Sequence, residues 1–95
     1  MQLVVYLPTC NLQLATCNLQ FTNPLVFALT FKALKHDRAP TVLFSSKSGS
    51  CSLSIFYKHV QGREKGIAII KNGDTISKEI QFEAEDWSSI VIQCS

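Results

Sequence analysis

In Cys51-Ser52-Leu53-Ser54-Ile55-Phe56-Tyr57 the chain alternates, with Cys51, Leu53, Ile55 and Tyr57 on one face and Ser52, Ser54 and Phe56 on the other. A period of two belongs to an extended strand with one buried face, whereas a helix repeats its faces every 3.6 residues. The pattern recurs at Phe27, Leu29, Phe31 and Ala33, which alternate with Ala28, Thr30, Lys32 and Leu34. Thr41–Ser45 and Gly66–Ile70 are shorter apolar runs, and Asp86–Cys94 alternates over its second half. Thr75–Phe82 sends Ile76, Ile80 and Phe82 one way, with Lys78 interrupting the set.

Turn chemistry separates these runs. Lys35–Pro40 is a charged loop closed by proline, Ser46–Ser50 a turn with Gly49, Lys58–Lys65 a polar loop around Gly62, and Glu83–Asp86 an acidic connection. Asn72-Gly73 is the strongest hairpin signal, because both central residues of a type I′ turn need positive φ. No run carries the helical period, and turns recur about every ten positions, so the expected fold is an all-β antiparallel sandwich, jelly roll or barrel.

Composition limits what such a fold does. Ninety-five residues make a single domain that buries roughly 60–65% of its unfolded surface. Charged residues are 17% of the chain and hydrophobic ones 46%. An average chain has roughly 25% charge, so some apolar surface here is expected to meet a partner. A net charge of +2 gives no reason to expect nucleic acid. No apolar run approaches the ~20 residues of a membrane helix. Leu3–Leu7 is apolar but has no basic residue before it and is followed by Pro8, Thr9, Asn11 and Gln13, so Met1–Cys17 makes a poor secretion signal.

Residues 7–13 and 14–20 are near copies, Leu-Pro-Thr-Cys-Asn-Leu-Gln and Leu-Ala-Thr-Cys-Asn-Leu-Gln. Two copies are too few for a solenoid, and Pro8 with the absence of charge argues against a coiled coil. Either the duplication has little structural meaning, or it marks a Cys10–Cys17 pair or two short strands. Asn23-Pro24 marks a boundary. It divides an N-terminal segment, 1–24, which either adds strands or is poorly ordered, from a β-sandwich domain, 25–95.

Cys10, Cys17, Cys51 and Cys94 contain no C-x-x-C, and no histidine sits at ligand spacing behind a cysteine pair, so neither a metal site nor any cofactor is expected. Four cysteines allow two disulfides in three connectivities, and they equally fit buried thiols. Compartment decides between the two.

Candidate sites are few. Lys32, Lys35 and Arg38 surround His36, and Lys58, Arg63 and Lys65 surround His59. Both clusters suit a sulfated glycan or phosphate, although Asp37 and Glu64 lie inside them and a solvated loop is the plainer assignment. Cys51 with His59 as base and Asp74 or Asp86 as orienter has the residue types of a thiol nucleophile. Nothing in the spacing unites them, so the chain is read as non-enzymatic. Glu83, Glu85 and Asp86 offer carboxylates of the kind calcium takes, but a solvated turn accounts for them. Trp87, the sole tryptophan, is expected to anchor the core, with a ligand platform as the lesser alternative.

The ordered series Phe27-Ala28-Leu29-Thr30-Phe31-Lys32, Pro40–Ser45, Ser52–Ile55, the hairpin, and Asp86–Ile92 resembles laminin-G-like and thrombospondin-N-terminal-like domains. In that family an F-x-L-x-F strand is followed by an L-F-S strand, an L-x-L strand, a hairpin and a W-H-x-hydrophobic strand; Ser88 stands here in place of the histidine. The likeness runs from about residue 25 to 94. It implies the N-terminal part of a concanavalin-like jelly roll, an incomplete one with unpaired edges. It further implies an extracellular adhesion or recognition role, with contacts to glycans, heparin-like chains or a protein. No calcium site is carried over. The alternative is a small cytoplasmic assembly protein that homo-oligomerises through its strand edges.

Overall fold

The computed structural model describes residues 9–23, 25–46 and 49–94. Eight strands follow one another: β1 (Thr9–Cys10), β2 (Ala15–Asn23), β3 (Val26–Ala33), β4 (Thr41–Ser45), β5 (Cys51–Val60), β6 (Arg63–Asn72), β7 (Thr75–Glu83) and β8 (Ser88–Gln93). They form two antiparallel sheets, a five-stranded one ordered β1-β4-β5-β6-β7 and a three-stranded one ordered β2-β3-β8. The chain is therefore an all-β sandwich, as the alternation requires. Of the N-terminal segment 1–24, residues 9–23 add strands to both sheets, since β1 pairs with β4 and β2 with β3, and residues 1–8 and 24 lie outside the described residues.

The alternating rows face each other across the core. Cys51, Leu53, Ile55 and Tyr57 of β5 point inward with Ala68 and Ile70 of β6, opposite Phe27, Leu29 and Phe31 of β3 and Ile90 and Ile92 of β8. Each such Leu, Ile or Phe side chain, once fully buried, contributes on the order of 1.5–3 kcal/mol. Aromatic edges lock the layers, with ring centroids 5.3 Å apart for Phe27–Phe44 and 5.2 Å for Phe31–Phe82. Phe82 lies over its cross-strand partner Gly66, where a Cβ would overlap the ring. Glycine is needed here for close approach.

Two disulfides join one sheet to the other. Cys51 of β5 bonds Cys94 just beyond β8, and Cys10 of β1 bonds Cys17 of β2.

The structure corrects several expectations. The polar stretch Lys58–Lys65 is mostly strand, and only Gln61 and Gly62 turn, with φ of 53° and 77°. Positive φ at both loop residues is the type I′ pattern. The second hairpin turns one residue later than Asn72-Gly73 predicts: Asn72 pairs with Thr75, and of the loop residues Gly73 and Asp74 only Gly73 has positive φ, at 62°. That is the type II′ arrangement. Ile76 does not join Ile80 and Phe82 against the core and is exposed. The register shift between Ile70 and Lys71 opposite displaces it. Trp87 anchors nothing in the core and is 55% exposed. Its parity explains this: on β8 Ile90 and Ile92 point inward, so the odd-numbered positions face out.

Candidate functional site

The loop between β3 and β4 folds back on β5, where the Tyr57 N–H donates to the Asp37 carbonyl at 2.8 Å. This brings His36 over Tyr57, with the rings stacked at 4.5 Å. His36 Nδ1 then lies 3.8 Å from Glu64 and 4.0 Å from Glu85. The Arg38 guanidinium donates to Glu64 as well. That hydrogen bond is the main reason the Glu64 carboxyl titrates below the usual glutamate range. Tyr57 is buried, its hydroxyl has no hydrogen-bond partner among the described residues, and burial, helped by Glu64 and Asp37, pushes its pKa up to about 12.

The six cations named by the sequence meet different fates. Lys35 pairs with Asp37 at 3.7 Å, Arg38 with Glu64, Arg63 with Glu83 at 3.5 Å, and Lys65 with its cross-strand partner Glu83. The Lys65 hydrogen bond holds the Glu83 carboxyl below its usual range. Stability from these two lowered carboxyls is present above the ordinary glutamate value and is lost as the pH falls through the lowered one. Four of the six are thus engaged by carboxylates, while Lys32 and Lys58 have no ion-pair partner among the described residues. They do not form one patch. Lys58 stands on the outer face of the five-stranded sheet beside Lys65, and Lys32 on the outer face of the three-stranded sheet beside Thr16.

Other candidate groupings come apart. Cys51 is consumed by its bond to Cys94 and offers no thiol to His59. Glu83 faces Lys65 and Arg63 whereas Glu85 faces His36, so the acidic connection diverges.

A different surface gathers instead on the three-stranded sheet. Its register aligns Asn18 with Thr30 and Thr30 with Ser89, Gln20 with Ala28 and Ala28 with Val91, and Thr16 with Lys32. Hydroxyls and amides therefore line the outer face, and Thr30 Oγ1 and Ser89 Oγ share a hydrogen bond at 3.1 Å. Trp87 precedes Ser88, the partner of Phe31, and so stands at the Lys32 end of this face. Its odd number, shared with Ser89 and Val91, was the sequence signal for an outward tryptophan. Comparison with protein-family models, curated proteins and solved structures found no match.

Proposed function

We propose that this chain is a non-enzymatic recognition or adhesion module of the laminin-G-like class, and that it contacts an acidic glycan across the outer face of the three-stranded sheet. The observation that carries this is the exposed Trp87 at the end of the three-stranded sheet where Lys32, which has no ion-pair partner among the described residues, also lies, on a face made of Thr, Asn, Gln and Ser side chains. An indole face stacks on the C–H side of a sugar ring, hydroxyls and amides match its hydroxyls, and a lysine meets a sulfate or carboxylate. Lys35, Arg38, Arg63 and Lys65 would have to abandon carboxylates to serve the same ligand. The two disulfides favour an oxidising, extracellular setting over the cytoplasm.

Retention on an immobilised sulfated polysaccharide at low salt tests the assignment. The wild-type chain is expected to be retained, Trp87→Ala and Lys32→Ala each to weaken binding by about tenfold, and Arg63→Ala to leave it unchanged. Salt should elute the chain readily, because one exposed cation is easily screened. Flow-through of the wild type, or full retention of Trp87→Ala, overturns the proposal.

A further inference from the structure

Among the described residues β8 is an edge of its sheet, and that edge carries information that its face does not. The Cys94 N–H donates to the Leu25 carbonyl at 2.7 Å, one rung beyond the pair Gln93–Val26. In an antiparallel ladder, alternate residues turn both N–H and C=O toward the same neighbour. Ile92, Ile90 and Ser88 therefore bond to β3 as Cys94 does, and Ser89, Val91 and Gln93 turn their backbone groups outward, away from the sheet.

These outward residues are uncharged, their side chains are exposed, and Val91 is 61% accessible. The strand pairs with β3 without a register shift and has neither proline nor lysine, the usual devices that stop an edge from pairing with another chain. The other long edges are defended. β7 has Lys78, Glu79 and Glu83 along it and a register shift against β6. β2 has a register shift between Phe21 and Asn23 and is tied across to β1 by Cys10–Cys17.

We propose that β8 pairs antiparallel with β8 of a second copy of this chain, about a two-fold axis perpendicular to the sheet at Val91. That axis sets Val91 against the partner's Val91 and Ser89 against the partner's Gln93. Each of these pairs exchanges both N–H···O bonds, and all the outward backbone groups of the strand are used. Moving the axis to Ile90 or Ile92 drops Gln93 or Ser89 from pairing within the strand. Because the axis preserves faces, the two outer faces join into one continuous sheet surface. The partner is a second copy because the register is self-complementary: polar meets polar, valine meets valine, and no like charges oppose. So short an edge makes a weak dimer, with a dissociation constant on the order of micromolar or above.

The inference is independent of the glycan assignment, and its test keeps them apart. Sedimentation of the oxidised full chain from about 10 μM to about 1 mM is expected to show a concentration-dependent dimer. Amide exchange at Ser89, Val91 and Gln93 should slow with concentration, while Ile90 and Ile92, already bonded to β3, stay constant. Val91→Arg, a substitution at an exposed site, places like charges across the axis and should weaken the dimer at least tenfold, whereas Trp87→Ala should dimerise as the wild type does. A monomer throughout that range, an unchanged dimer in Val91→Arg, or protection that appears in β7 instead overturns the proposal.

Discussion

The tetrapeptide Cys-Asn-Leu-Gln occurs twice, at residues 10–13 and 17–20, and the two copies adopt different structures. In the first, the strand ends at Cys10 and the chain turns: the Asn11 side-chain oxygen accepts the Gln13 N–H at 3.0 Å, and the Asn11 carbonyl accepts the Leu14 N–H at 3.1 Å. In the second, the same residues run straight through β2 opposite β3. Leu12 is consequently 68% exposed, while Leu19 packs against the core. Local preference is identical for the two copies and cannot choose between them. β3 chooses, because its inward row of Phe27, Leu29 and Phe31 needs a covered flank and its backbone needs a partner along its full length. Where no strand of that length lies alongside, asparagine takes the side-chain-to-backbone turn that it favours by itself. The two cysteines, equivalent in sequence, end on different sheets and bond to each other.

Three experiments bear on this contrast. Replacing Cys10 and Cys17 by serine removes a bridge spanning a sequence separation of 7 and should cost roughly 2–3 kcal/mol in denaturant unfolding. An unchanged midpoint would mean that the copies are held apart by strand pairing alone. Next in size is Leu19→Ala, expected to cost about 2 kcal/mol, against a change within about 0.5 kcal/mol for Leu12→Ala. Equal losses from the two would show that the first copy packs as the second does. The smallest difference concerns the asparagines. Asn11→Ala should lose about 1 kcal/mol with the turn, and Asn18→Ala, on the solvated face, close to nothing. A larger loss at Asn18 would break the assignment of turn and strand.

Much of the sandwich could be read from the chain, because a period of two leaves few alternatives. The rows Cys51, Leu53, Ile55, Tyr57 and Phe27, Leu29, Phe31 lie inward as their spacing demands. What the spacing does not contain is pairing between strands distant in sequence. That β8 returns to β3, and that Lys65 stands opposite Glu83, are properties of register and sheet order. For that reason the basic clusters could be picked out in the sequence, but their neutralisation could not. Trp87 departs for another reason: its size favours the core, but its parity with Ser89 and Val91 turns it outward. The turn at Gln61-Gly62 is shorter than the Lys58–Lys65 loop expected, and that at Gly73-Asp74 falls one residue later than Asn72-Gly73; the flanking registers fix both.

The pairing of β3 with β8 also dictates an order of assembly. β5, β6 and β7 meet as neighbours along the chain, and β2 meets β3 through one short link. Leu29, by contrast, waits for Ile90, with four strands synthesised in between. A closure that long is entropically slow, so the meander and the first hairpin are expected to form early and to sit beside each other before the smaller sheet is whole. During that interval Cys51 has no native partner, because Cys94 arrives only with β8. Cys10 and Cys17 are already on hand and are wrong partners for it. Oxidative refolding of the reduced, unfolded chain should therefore be limited by exchange of bridges that Cys51 has formed with Cys10 or Cys17, and a trace of added thiol should speed the recovery of native protein.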